Sequence, residues 1–267
     1  MLDYFRTRHF VRPPYLTLDG FSYLPEKGVK TYSEYNYLKP GLASFLRTRH
    51  LEYALRMVGK YPPEYNVIDF GCADGSLLPS LSRRFKHVVG IDSEPDFIKL
   101  AAKVTDNLAN VQLICNQGLG MGDLRAKLAG RKYQILFLLE TLEHIGDKNN
   151  LWESRVEFVR ELFTLIDKSG VIIISVPVMV GLPFLIQRVG LFVFNAKRDK
   201  ASKIGLLKAY FLNDTDDLEK QWHPWRMGET GHIGFNHKKL EVHLKREFDI
   251  LEVKNILFQV LYVCSNE

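Results

Sequence analysis

Apolar residues recur along this chain in two alternating rhythms, short unbroken runs and longer stretches at helical spacing. Leu46, Leu51, Leu55 and Val58 fit one face of a helix that starts at Leu42 and stops by Gly59 and the Pro62-Pro63 pair. Residues 66–71 (NVIDFG) form a short apolar run closed by glycine, and Leu77, Leu78 and Leu81 give 76–85 a helical period. The alternation repeats as 87–92 then 95–104, 111–115 then a loop and short helix, and 133–139 then 151–166, before a fifth run at 171–176. Unbroken runs suit strands covered on both faces, and strand–helix alternation demands right-handed crossovers between parallel strands. A helix at 236–246 and two nearly contiguous strands, 248–255 and 257–264, close the chain, and so short a link forces an antiparallel hairpin. The pattern predicts an α/β, doubly wound, mostly parallel seven-stranded sheet with a reversed C-terminal strand. Residues 1–60 read as an N-terminal arm and cap helix, and 61–267 as the main domain, with an insert at 178–234 where the period is lost.

Composition narrows the class without naming it. A chain of 267 residues with 46% hydrophobic and 25% charged content builds a large core, which excludes disordered, collagen-like and coiled-coil chains. The net charge of +5 is too mild to identify a polyanion as ligand. Cys72, Cys115 and Cys264 lie in apolar stretches without metal-ligand spacing, which reads as reduced thiols in an intracellular protein. Residues 1–12 lack the apolar core of a secretion signal, and 171–194 is interrupted by Pro177, Pro183 and Arg188, so neither export nor a membrane span is expected. The expected location is the cytoplasm, with peripheral membrane contact as a further reading of the insert.

The candidate chemistry begins in the turn Asp69-Phe70-Gly71-Cys72-Ala73-Asp74-Gly75. Glycines between a buried strand and a helix let a ligand approach the backbone. Asp92, at the end of the second run, is placed to accept hydrogen bonds from ribose hydroxyls. A nicotinamide dinucleotide wants G-x-G-x-x-G, whereas here Ala73 and Ser76 stand at the second and third glycine positions and two carboxylates lie where phosphates would sit. Those same carboxylates suit a cationic ligand, the sulfonium and ammonium of S-adenosyl-L-methionine.

On these residues the chain resembles the class I S-adenosylmethionine-dependent methyltransferases, in particular the small-molecule branch with the quinone-biosynthesis enzymes, over roughly residues 64–264. The resemblance implies a Rossmann-like methyltransferase fold and S-adenosyl-L-methionine as cofactor. DFGCADG is similar to the family's D-x-G-x-G-x-G, with Asp69, Gly71, Cys72, Ala73 and Gly75 at the cofactor and Ala73 as a tolerated departure. By the same resemblance Asp92 holds the ribose, Ser93 lies beside the adenine, Asn116 or Gln117 accepts from the adenine amino group, and Leu139 ends the fourth strand at the cofactor.

Leu139-Glu140-Thr141-Leu142-Glu143-His144 is similar to the family's segment at the floor of the acceptor pocket, which makes Glu140, Glu143 and His144 catalytic candidates. His232, in GHIGFN, is similar to a pocket histidine before the penultimate helix. An imidazole titrating near neutral pH can take a hydroxyl proton as the methyl leaves sulfur. The alternative reading is that Glu143 and His144 only fix the loop. E-x-x-E-H also resembles the metal-binding spacing of some quinone and terminal-RNA methyltransferases, where His232, His237 or His223 would complete the set, but no metal is assigned here. Ser175-Val176-Pro177-Val178 departs from the Pro-Asn turn of the RNA enzymes, so no nucleic-acid partner is expected. Tyr32, Tyr35 and Tyr37 are candidates to close over the methionine end of the cofactor.

In the insert, 178–193 (VMVGLPFLIQRVGLFV) is followed by Lys197, Arg198, Lys200, Lys203 and Lys208 and by Trp222-His223-Pro224-Trp225. It reads as packing or a homodimer contact, as a lid over the acceptor, or as an apolar helix resting on an anionic bilayer. The function expected is methyl transfer to a small-molecule acceptor, lipid-like or glycan-linked, at oxygen. The alternatives are an RNA methyltransferase and a non-catalytic S-adenosylmethionine-binding partner.

Overall fold

The computed structural model describes residues 9–39, 41–193, 201–224 and 232–266. Lys197, Arg198, Lys200, Trp225 and Gly231, singled out above, lie outside them. Seven strands, β1 (Asn66–Phe70), β2 (His87–Asp92), β3 (Val111–Cys115), β4 (Ile135–Leu139), β5 (Val171–Pro177), β6 (Asp249–Ile256) and β7 (Gln259–Ser265), form one sheet in the order β3-β2-β1-β4-β5-β7-β6. β1 pairs in parallel with both β2 and β4, aligning Asp69 with Gly90 and with Phe137, and β2 pairs in parallel with β3. β6 and β7 pair antiparallel, as the short link required, with a register shift at Ile250–Glu252. Every residue of β4, β5 and β7 is buried, which is why their sequences run apolar without alternation. β6 keeps Asp249, Glu252 and Lys254 on an end strand, where charges discourage further strand pairing.

The chain divides into two compact units, Met1–Leu139 with Glu161–Ile173, and Glu140–Arg160 with Ile174–Glu267. In the first, helices α1 (Leu42–Met57), α2 (Leu78–Ser82), α3 (Pro95–Val104) and α4 (Met121–Leu128) alternate with β1–β4. α3 starts where Glu94 accepts from the Asp96 amide and Pro95 occupies the first helical position. α2 is shorter than the period of 76–85 suggested, because Gly75–Leu77 are spent in the turn and the segment enters the helix only at Leu78-Pro79. The arm holds short helical turns at Pro25–Lys27 and Glu34–Leu38 and is packed from residue 9 onward. The Glu52 carboxylate accepts from the His9 and Phe10 amides at 3.1 and 2.9 Å, and Phe10, Phe21, Tyr23 and Val29 are buried.

α5 (Leu151–Phe163) runs on from the second unit into the first. The second unit also holds α6 (Gly181–Val193), α7 (Lys203–Phe211), α8 (Asp216–Glu219) and α9 (His237–Glu247). The insert is therefore largely helical among its described residues, where the sequence showed no steady period. α6 is apolar on most sides, so it lacks the polar face that makes a helix visible as a rhythm. α9 begins as the sequence indicated, with the Asn236 side chain accepting from the Lys238 and Lys239 amides. All three cysteines are unpaired thiols, Cys72 and Cys264 buried.

Candidate active site

The turn after β1 is built from backbone that ordinary side chains avoid. Gly71, Ala73 and Gly75 all have positive φ, of 78°, 47° and 82°. At Gly75 a Cβ would meet the Ala101 backbone of α3 at 3.0 Å, so glycine there permits the close approach of helix and turn. Ala73 carries a Cβ into the left-handed region, so its departure from glycine is strained and not merely a matter of space. Replacing Ala73 with glycine is expected to stabilise the protein by about 0.5–1 kcal/mol, since relief of roughly 1–2 kcal/mol of strain exceeds the added chain entropy. The thermal midpoint should rise by roughly 1–3 °C, and an unchanged or lower midpoint would contradict that account.

The acids around this turn differ in their surroundings. Asp69 is buried, and burial, with Asp92 nearby, pushes its carboxyl up to about 7. Asp74 accepts from the Ser33 amide and hydroxyl, each at 2.7 Å, and from the Ser76 hydroxyl at 2.8 Å. Ser33 of the arm and Ser76 thus engage both of its oxygens. Asp92 receives the Ala73 amide at 2.8 Å and the Glu94 amide at 2.9 Å, one on each oxygen, and burial raises its pKa.

Asn116 and Gln117, equivalent in sequence, differ in place. The Asn116 amide donates to the Asp92 carbonyl at 3.0 Å and its Oδ1 is buried without a hydrogen-bond partner, whereas Gln117 is exposed. Ser93 is exposed beside Cys115, and Leu139 closes β4 in the core. The arm tyrosines pack against one another. Tyr32 meets Tyr23, Tyr37 and Phe97 edge-on at 5.5–6.3 Å, Tyr37 is buried, and Tyr35 stacks under Arg47 at 4.5 Å.

In the second unit, Glu140 sits at φ 51°, an uncommon conformation for a branched-free but bulky side chain. Its amide donates to the Ser175 carbonyl at 3.0 Å and its Oε1 accepts from the Ser175 hydroxyl at 3.0 Å. Burial pushes Glu140 up to about 7. A short 3-10 turn, Leu142–His144, then aims Glu143 inward, fully buried, with no hydrogen bond to either carboxylate oxygen. Burial first, and Glu140 second, hold Glu143 well above the usual carboxylate range. His232 Nδ1 lies 3.5 Å and His144 Nε2 3.9 Å from Glu143 Oε1, and the two rings are 5.0 Å apart. Burial, then His232 and Arg155, hold His144 well below its ordinary pKa, so it stays neutral.

Glu143, His144 and His232 each offer a ligand atom within 4.8 Å of the others. Glu140, bonded to Ser175, falls outside that group. Of the three histidines left open for a fourth position, His223 Nδ1 sits 2.9 Å from the Pro224 carbonyl and His237 lines a cleft of about 500 Å³ with Leu182, Tyr210 and Lys238. Burial and Lys238 push His237 down to about 4.

Arg155 was not among the sequence candidates, yet it sets the turn. Fully buried, it donates through Nε to the Ile145 carbonyl at 3.0 Å and through Nη2 to the Glu143 carbonyl at 3.1 Å, and its guanidinium lies 4.6 and 4.8 Å from the Trp152 and Phe235 rings. Trp222 Nε1 donates to the same Glu143 carbonyl at 3.0 Å. The available signal was a lone charge in the apolar row Trp152, Val156, Val159 and Phe163 of α5.

A sheet ordered 3-2-1-4-5-7-6, a strained glycine-bearing turn after β1 and an acid ending β2 define a Rossmann-like methyltransferase. A family model described as a methyltransferase domain matches residues 42–246, and the chain belongs to that family, the S-adenosylmethionine-dependent class I methyltransferases. Solved structures of similar fold include magnesium protoporphyrin IX methyltransferase from Synechocystis PCC 6803 with bound S-adenosylhomocysteine, at 16% identity and TM-score 0.51, covering 87% of this chain and 91% of that one. A SAM-dependent methyltransferase from Anabaena variabilis is 18% identical with TM-score 0.53, over 79% and 81% of the two chains. One from Clostridium acetobutylicum is 11% identical with TM-score 0.52, over 80% and 89%. At these identities the likeness concerns the fold. Comparison with curated protein sequences gives no match.

Proposed function

We propose that the protein transfers the methyl group of S-adenosyl-L-methionine to an oxygen of a small, lipid-like or glycan-linked acceptor, and that Glu143, His144 and His232 receive the acceptor's proton. The observation that carries this reading is the Glu143 carboxylate, buried without a hydrogen bond and faced by two imidazoles within 4 Å. An unsatisfied buried carboxylate is costly, and such groups mark functional sites. In the transfer, an oxygen lone pair attacks the methyl carbon, the S–CH3 bond breaks, and the sulfonium becomes a neutral thioether. The hydroxyl proton passes to the neutral imidazole of His144, or to Glu143 in its ionised form, a stronger base than an exposed carboxylate because burial disfavours its charge.

On the donor side, Gly71, Cys72, Ala73 and Gly75 offer backbone to the cofactor, Asp69 faces its cationic end and Asp92 its ribose. Asn116 is the better acceptor for the adenine amino group, because its Oδ1 is buried and unsatisfied while Gln117 is exposed. Ser93 and Leu139 complete the adenosine surroundings. Orientation supplies most of the acceleration in such a displacement, so no covalent nucleophile is needed.

The convergence of one carboxylate and two imidazoles within 4.8 Å also favours a second reading, a divalent cation on Glu143, His144 and His232. A cation there would polarise the acceptor oxygen and lower its pKa. Incubation with radiolabelled methyl donor and fractionated small-molecule extracts tests the function: a labelled product soluble in organic solvent or bound to glycan is expected. Label only in RNA, or none in any fraction despite tight donor binding, refutes it. Excess chelator decides between the two readings of the cluster: full turnover leaves the proton-accepting role, and loss restored by a divalent metal supports the cation.

A further inference from the structure

A cleft of about 500 Å³, within the size range of small-molecule sites, opens in the second unit among the residues that follow β5, the start of α6, the end of α7, the β6–β7 link and the start of α9. Val178, Val180, Leu182, Ile256 and Leu257 give it an apolar wall. Its polar lining is Tyr210, Asn213, Asn255, His237 and Lys238. Glu143, His144 and His232 do not line it, so the cleft stands apart from their cluster and does not depend on the nature of the acceptor.

The lining is held from behind. The Val178 amide donates to the Phe258 carbonyl at 2.8 Å, and the His237 carbonyl accepts from the Tyr262 hydroxyl at 3.2 Å. The Asn213 carbonyl accepts from the Asn236 side chain at 2.9 Å. Asn213 Oδ1 lies 3.2 Å from where a Cβ on Gly181 would stand, so glycine there leaves room for the amide. Fixed polar groups on an apolar wall orient a ligand.

His237 is the residue that lacks a partner. It is only 8% exposed, and its Nδ1 is buried without a hydrogen bond among the described residues. An unpaired buried nitrogen is costly unless a bound molecule satisfies it. Burial first and Lys238 second push His237 down to about 4, so the imidazole is neutral and has one N–H to donate. Among the described residues no Asp or Glu lines the cleft, whereas Lys238 is exposed there and brings a positive charge. Glu241, an acid of α9 whose field reaches His237, pairs with Lys245. One cation, a neutral ring donor and two amides beside an apolar wall complement an acid with a hydrocarbon body.

We propose that this cleft binds a small organic anion with an apolar body, its carboxylate between Lys238 and His237 and its hydrocarbon against Val178, Val180 and Leu257. Calorimetric titration of the full chain with octanoate tests this, with octanol as the uncharged counterpart. Octanoate should bind at one site with a Kd below about 1 mM, and octanol roughly tenfold more weakly, because the alcohol lacks the charge-assisted bonds. Lys238→Met should weaken octanoate roughly tenfold, to the level of the alcohol, and leave the thermal midpoint unchanged because the side chain is exposed. The variant Ile204→Ser/Leu207→Ser, which alters exposed apolar side chains of α7 outside the cleft, should bind octanoate as the wild type does. No saturable binding of octanoate below about 10 mM, equal affinity for acid and alcohol, or an affinity unmoved by Lys238→Met overturns the proposal. So does loss of binding in the α7 variant, because the hydrocarbon would then lie on the exposed helical face.

Discussion

Glu143→Gln should lower kcat by roughly 10²–10⁴-fold while leaving the affinity for S-adenosyl-L-methionine within about twofold of wild type. The neutral amide imitates the protonated form that burial favours at rest, so the fold should tolerate it, and what disappears is the ionised form that takes the acceptor's proton. His144→Ala should produce a loss of similar size, and the double variant should be little worse than either single one, because residues that act together are not additive. Single-turnover rates with calorimetric donor affinity are the measurement. A rate within about threefold of wild type in both variants would reduce the cluster to a loop-shaping role.

The second large effect is in pH. Burial favours the protonated form of Asp69 up to about pH 7, and on the proposed placement the donor's cationic end beside it favours the ionised form, so donor binding is expected to release that proton. Affinity should therefore rise with pH, by up to about tenfold per unit below 7, and level off above it. Calorimetry in buffers of different ionisation enthalpy reads the released proton directly, and Asp69→Asn should flatten the profile. A flat wild-type profile between pH 5 and about 7 would separate Asp69 from the donor's charge. The sign for the protein without ligand is opposite. Because the folded-state pKa lies above the unfolded value, the contribution of Asp69 to stability is complete below about 4 and is lost as pH rises through about 7.

The strands were legible because each is covered on both faces and so spells itself as an uninterrupted apolar word, as VIIISV does in β5. α6 was legible only as one of three alternatives for the insert, and α7 not at all, because a helix without a consistent polar side carries no contrast from which a period can be read. Within the site, Glu143, His144 and His232 were legible as candidates by their residue types, but not their spacing in space, since nearly ninety residues separate the first two from the third. Asn116 and Gln117 are adjacent and chemically alike, so only burial distinguishes them. Arg155 was hidden by the ordinary assumption that a helical arginine faces water. The partner of Asp74 was out of reach for a different reason: Ser33 lies forty-one residues away, in a stretch whose sequence shows no steady period.

That last bond changes what the shortest working version of the protein can be. Trimming the leading sixty residues as a dispensable appendage would strip Asp74 of two of its three donors and leave its carboxyl short of partners next to the bend proposed to cradle the nucleoside. An engineer who found such a clipped protein inert should look first at that bend, and only then at the proposed proton-accepting cluster around Glu143.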